Sequence, residues 1–262
     1  GIGKLSQTYL NDLAPGKTVI FNTNASLHGK ALKERGFAVQ EADLSNIDSV
    51  LKIENIEKLL INTGSDRDNI NLTFQIIKTY QVKKCKETLR LIVRIENREL
   101  NSLFSSNTLL NNKEYKNSKI ELKTYSFFEE CAVKLFQDNF IDGDDNTVIN
   151  SNDEYSIIIA GDGILAQKIV YEAAKIAHLP NENTLNIYIV SEDPGSVENA
   201  LVKSFPYIKS IPTLKLHQYP LDYATLDYFT DEVWHVHNLT NAIVCYDYEN
   251  VNLKITDSLH EK

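Results

Sequence analysis

No stretch of this chain reaches the roughly 18 consecutive apolar residues that a spanning helix needs, and no secretory leader is visible. Cysteine is scarce. Cys85, Cys131 and Cys245 are an odd, scattered set with no CxxC, which argues against a disulfide framework and reads as reduced thiols in a cytoplasmic, reducing compartment. Positive charge is in deficit: 27 Lys and Arg against 36 Asp and Glu leave a net charge of −9. That balance argues against a nucleic-acid partner, because phosphate binding needs a basic face, and it matches ordinary cytosolic solubility. Methionine is absent altogether, which is unusual at 262 residues. Catalytic signatures are missing as well. There is no GxSxG, no GxxxxGK[ST], no HExxH and no plausible Cys/His dyad, and no Ser with Tyr-x-x-x-Lys relay sits where a reductase would need one. The six histidines (28, 178, 217, 235, 237, 260) show no metal spacing, and His235-Val236-His237 reads as an exposed strand pair rather than a ligand pair.

What the chain does have is a repeat. The apolar run Leu59-Leu60-Ile61-Asn62-Thr63 is followed by Asp68-Asn69-Ile70-Asn71-Leu72. A second run, Ala242-Ile243-Val244-Cys245-Tyr246, is followed by Glu249-Asn250-Val251-Asn252-Leu253. A glycine pair lies upstream of each copy, Gly1-Ile2-Gly3 and Gly161-Asp162-Gly163. Two markers in one order imply two copies of one nucleotide-binding unit. The 42% hydrophobic content suffices for two cores.

Between the markers, strand-like and helix-like runs alternate, which implies right-handed crossovers and parallel sheets. In the first unit, helices are expected at Lys4–Leu13, Leu27–Arg35 (closed by Gly36), Asn46–Glu57, Asp68–Tyr80, Arg98–Phe104 and Phe127–Asn139. Strands are expected at Thr18–Phe21, Ala38–Gln40, Leu59–Asn62, Leu89–Ile95 and Lys119–Tyr125. The polar, turn-rich stretch from Asp142 to Glu154 is read as the boundary, giving units 1–145 and 146–262. The second unit is expected to run strand Tyr155–Ala160, helix Ile164–His178, a loop insertion Leu179–Asn183, strand Leu185–Val190 and helix Pro194–Ser204. Strand Thr213–His217, helix Leu221–Phe229, strand Ala242–Tyr246 and a helix opening at Glu249 follow. The fold class is therefore α/β, two tandem Rossmann-like doubly wound parallel-sheet units. The first lacks a strand ahead of its glycines and the second breaks off in its last helix, so neighbours on either side, including a membrane segment, are expected to be missing.

Gly161-Asp162-Gly163-Ile164-Leu165-Ala166 is GxGxxA after a strand and opening a helix, the context of the dinucleotide fingerprint. On this reading Gly161 permits the tight turn, Gly163 lets a pyrophosphate approach, and Ala166 lets helix and strand pack closely. The helix N-terminus then faces the anion. Glu192 or Asp193, ending the second strand, is placed to hold ribose hydroxyls, at a longer spacing than the usual ~20 residues. Asp162 would repel phosphate if turned inward. Gly1-Ile2-Gly3-Lys4-Leu5-Ser6 is a weaker copy, whose second strand ends in Asn22-Thr23-Asn24, so Asn22 takes the ribose position. Thr63-Gly64-Ser65-Asp66 follows a strand end, where either a ligand or an ordinary loop belongs, while Asp68 and Glu249 read as helix caps.

These features resemble the TrkA-N or RCK (regulator of K⁺ conductance) family. The likeness lies in the glycine turn, the strand followed by Asp-x-x-Asn-Leu (Asp68, Asn71, Leu72; Glu249, Asn252, Leu253) and the tandem duplication. Leu89-Arg90-Leu91-Ile92-Val93-Arg94-Ile95-Glu96-Asn97 is similar to that family's fifth strand with its basic-then-acidic dimerising edge, and His178-Leu179 to its post-helix loop. The resemblance implies a non-catalytic ligand sensor that binds NAD or another adenine nucleotide (ATP, ADP or AMP) and controls a potassium channel, a transporter or a fused domain. It also implies pairing as a homodimer, with Leu89–Ile95 and Arg98–Phe104 as the contact, or as a pseudo-dimer within one chain. The alternative is an NAD(P)-dependent oxidoreductase, which calls for a substrate domain with a proton donor; here two nucleotide folds consume the chain.

Overall fold

A computed structural model describes residues 14–22, 25–41, 56–82, 88–105, 119–139, 141, 154–176, 184–221, 236 and 238–260. The chain divides into two compact units, Gly1–Phe127 and Phe128–Lys262. Each is α/β and Rossmann-like, with parallel sheets flanked by helices. Among the described residues, no helix is long and apolar enough to cross a membrane. The glycines Gly1 and Gly3, the helices expected at Lys4–Leu13 and Asn46–Glu57 (but for Ile56 and Glu57), and most of Leu221–Phe229 lie outside the described residues. So do the boundary stretch 142–153, the loop Leu179–Asn183, His178, His235 and His237.

The first unit runs β1 (Val19–Asn22), α1 (Ala25–Glu34), β2 (Ala38–Glu41), β3 (Lys58–Ile61), α2 (Asp66–Val82), β4 (Leu89–Arg94), α3 (Arg98–Ser105) and β5 (Ile120–Tyr125). Gly36 closes α1 at φ 86°, a conformation that glycine adopts freely. Its N–H donates to the Lys33 carbonyl. The core forms where β4 alternates: Leu89, Leu91 and Val93 face inward against Ile76 and Ile77 of α2 and Phe104 of α3. The strands make two parallel sheets, β1-β2 and β3-β4-β5.

The second unit comprises α4 (Phe127–Asp138, entering from the first unit's last residue), β6 (Tyr155–Ala160), α5 (Ile164–Ile176), β7 (Leu185–Ser191), α6 (Pro194–Ser204), β8 (Leu214–Pro220), β9 (Leu239–Val244) and α7 (Glu249–His260). Its sheet order is β8-β7-β6-β9, parallel throughout. The sequence of β6 is apolar at every position but one because both of its faces are covered. Ile157 and Ile159 pack with α5, while Ile158 and Ala160 pack with Ile255 of α7. Ala132 and Phe136 of α4 join the first of these cores, and Glu129 accepts a 2.9 Å ion pair from buried Lys168 of α5. In this unit β7 and β9 flank β6; the described strands of the first unit form two separate sheets.

Most boundaries shift by one to three residues from expectation, β9 starting already at Leu239, and three of the shifts have a local reason. Helix α2 starts at Asp66, not Asp68. Ser65 is its cap, accepting the Asp68 N–H at 3.1 Å and donating its hydroxyl to that carboxylate, a capping-box arrangement. Strand β8 runs on to Pro220 because its pairing with β7 continues to Ser191↔Pro220. Strand β9 stops at Val244, which frees Cys245 and Tyr246 to leave the sheet edge.

Candidate functional site

In an open parallel sheet, ligands bind outside the carboxyl ends of the strands where the strand order reverses. Here that point lies between β6 and β9, and the residues leaving the two strands are Gly161–Gly163 and Cys245–Asp247. The two segments are bound tightly together. Cys245 N–H donates to Ala160 O at 2.8 Å. The Val190 carbonyl at the end of β7 accepts twice, from Gly161 N–H at 3.0 Å and from the Tyr246 hydroxyl at 2.8 Å. Tyr246 is in turn clasped by Asn252 of α7, whose carboxamide accepts from its N–H (2.8 Å) and donates to its carbonyl (2.9 Å).

Gly161 does not occupy the left-handed region expected of a tight turn; among the described glycines only Gly36 has a positive φ. It is required by proximity. A Cβ there would lie 2.6 Å from Cys245 Sγ, 3.0 Å from Cys245 O and 3.2 Å from the Ala166 Cβ. Ala166 is fully buried, so its small size serves the close helix–strand approach. At Gly163 an added Cβ would meet the Asp247 carboxylate, with Oδ1 at 3.0 Å and Oδ2 at 3.3 Å.

Of the two acids that end β7, Asp193 is committed: its carboxylate caps α6 by accepting the Ser196 N–H at 2.9 Å. Glu192 is exposed at the same edge. Beside it the fully buried Ser191 hydroxyl has no hydrogen-bond partner among the described residues. Asn22 ends β1 in register with Glu41.

Burial raises the Cys245 thiol to about 12 from 9.0, and the charges of Asp162 and Asp247 add to the effect. Its thiolate fraction near neutral pH is then roughly a thousandfold below that of an ordinary thiol. With Cys85 and Cys131 replaced by serine, native Cys245 is expected to resist iodoacetamide and to react only on unfolding; brisk labelling of the folded chain would contradict this. The raised value also sets a pH window. Below 9.0 the stabilisation is complete. Above it the unfolded thiol ionises first, so stability declines as pH rises toward about 12.

The corresponding edge of the first unit is closed by its own side chains. Asn69, buried on α2, accepts from Thr63 N–H (2.7 Å) and hydroxyl (2.8 Å) and donates to Arg94 O. Asp66 accepts the N–H groups of Glu96 and Asn97, so Thr63-Gly64-Ser65-Asp66 is bound as a structural loop. Arg94 and Glu96, in the stretch likened to a basic-then-acidic dimerising edge, pair with each other at 2.6 Å and are largely buried. Strand β4 is flanked on both sides by β3 and β5, so it offers no free edge for pairing; Leu103 of α3 does remain exposed.

These contacts also correct the register of the repeat. Asn69 and Asn252 each lie six residues beyond the backbone they clasp, at Thr63 and Tyr246. In each copy a threonine four residues on, Thr73 or Thr256, donates to that asparagine's carbonyl. The matching helix starts are Asp66 and Glu249. Asn252 therefore pairs with Asn69, not Asn71, and Asp247 pairs with Gly64. The signal was present in the sequence as (Asp/Glu)-x-x-Asn-x-x-x-Thr in both copies.

No family model matches this chain, and neither does any curated protein or solved structure.

Proposed function

We propose that the chain is a non-catalytic regulatory module of the TrkA-N/RCK kind, in which the second unit binds an adenine nucleotide, NAD or one of ATP, ADP and AMP. Binding controls a channel, a transporter or a fused effector, and the module works in the cytoplasm as a homodimer or as an intrachain pair. One observation carries the reading: a Gly-x-Gly turn joins a fully buried parallel strand to a helix at the point where the strand order reverses. Glu192 is the ribose ligand, since Asp193 is held by its helix. Two Rossmann-like units take up the chain, which favours sensing over the oxidoreductase alternative, since that calls for a separate substrate domain with a proton donor.

Calorimetric titration with NAD, NADH, ATP, ADP and AMP is the test. Glu192→Ala removes a charge-assisted hydrogen bond, commonly about 1.5–3 kcal/mol, so affinity is expected to fall about tenfold or more. At Gly163 the atoms nearest an added Cβ belong to the flexible Asp247 side chain, so with Gly163→Val the fold should persist while binding weakens. Unaltered binding in both variants, with native circular dichroism, would remove the site.

A further inference from the structure

The glycine turn lies beside a carboxylate. Asp247 leaves β9 and its oxygens stand against Gly163, on the side where the fingerprint would seat a pyrophosphate. No hydrogen bond or ion pair holds that carboxylate among the described residues. Asp162, between the two glycines, carries charge of the same sign, and both acids act on the Cys245 thiol. Both side chains are exposed, so an anion entering the turn meets their repulsion at close range through partly screening water. The repeat supplies a built-in comparison, because the first unit has glycine at the corresponding position. An added Cβ at Gly64 would find nothing within 4 Å. The carboxylate is thus specific to the second unit, not a requirement of the strand end.

We infer that Asp247 sets the charge class of ligand at the Gly161–Gly163 turn, admitting a nucleoside or nucleoside monophosphate and disfavouring the bare di- and triphosphates. This rests on the nucleotide reading of the same turn and refines it. The adenosine part is recognised at the ends of β6 and β7, with its ribose on Glu192. Each added phosphate must approach Gly163 against Asp247 or displace that side chain. Affinity therefore falls in the order adenosine or AMP, then ADP, then ATP.

The test is calorimetry on the full 262-residue chain with adenosine, AMP, ADP, ATP and NAD, without divalent cation. Wild type is compared with Asp247→Asn, which keeps the shape and removes the charge, and with Asp247→Gly, which copies Gly64. Circular dichroism confirms the fold of each. Both variants should gain about tenfold or more for ADP and ATP while adenosine changes less than about twofold. If ADP binds equally to all three proteins and Glu192→Ala weakens every ligand, the role of Asp247 is overturned and the nucleotide site stands. If none of the three proteins binds any of the five ligands, the site falls and this inference with it. If adenosine gains as much as ADP in both variants, Asp247 is a steric plug and not a charge filter, which also overturns the proposal.

Discussion

Replacing Gly161 by alanine is expected to destabilise the second unit strongly. The added methyl would stand 2.6 Å from Cys245 Sγ, 3.0 Å from Cys245 O and 3.2 Å from the Ala166 Cβ. Two of these three obstacles cannot rotate away. The carbonyl belongs to the residue whose N–H is bonded to Ala160, and the Ala166 methyl is fixed to α5. Relief requires β9 or α5 to move, and both pack on β6 in the centre of the sheet. Overpacking of this kind typically costs about 1–3 kcal/mol, and a site with backbone on one side belongs at or above the upper end. That is a large part of the roughly 5–15 kcal/mol by which a domain is stable. Adding Cys245→Ala removes the sulfur but leaves the carbonyl and Ala166, so the double variant should recover only part of the loss. Gly163→Ala is the control, since its only close neighbour is the movable tip of Asp247; it should stay within about 1 kcal/mol of wild type. Urea melts followed by circular dichroism measure all three. A Gly161→Ala chain that melts like wild type would refute the argument.

The elements that the sequence revealed most sharply are a strand buried on both faces and a helix opened by proline. Tyr155–Ala160 and Pro194–Ser204 have the same limits in sequence and structure, because an unbroken apolar run and a proline-started helix are local signals. What sequence could not reveal is set by neighbouring strands. Whether β9 ends at Val244 or Tyr246 depends on where the Ala160 carbonyl finds its last partner, and no local pattern records that. Gly161 looked like a turn glycine and is a contact glycine, since the need for it comes from Cys245, far away along the chain. The repeat was visible, but two asparagines in each copy made its register ambiguous. Only the hydrogen bonds of Asn69 and Asn252 identify which one does the clasping. That shift of register is also what aligns Asp247 with Gly64.

Loss of Glu96 is expected to be the most damaging single change in the first unit. One carboxylate ties three segments together. Oε1 accepts from Arg94 Nε at 2.6 Å and from Phe127 N–H at 3.1 Å, and Oε2 accepts from the Ser126 hydroxyl at 2.6 Å. The Glu96 N–H is itself held by Asp66, and Arg94 reaches Asn62 at the end of β3. The charges are shielded, with side-chain exposures of 15% for Arg94 and 8% for Glu96. Glu96→Ala therefore takes the carboxylate away from a shielded guanidinium, an amide and a hydroxyl, for which about 3–5 kcal/mol is typical. Glu96→Gln keeps an acceptor of the same shape and should lose less. The informative variant is the double Arg94→Met/Glu96→Leu. With neither charge left to desolvate, it should be more stable than Glu96→Ala alone, because a buried pair contributes less than the penalty for half of it. Urea denaturation of wild type, Arg94→Met, Glu96→Leu and the double variant closes a double-mutant cycle, and a coupling above about 1 kcal/mol is expected between directly paired groups. If each single variant costs under about 1 kcal/mol and the two add without coupling, the carboxylate is a spectator and the edge of the first unit is held by Asp66 and Asn69 instead.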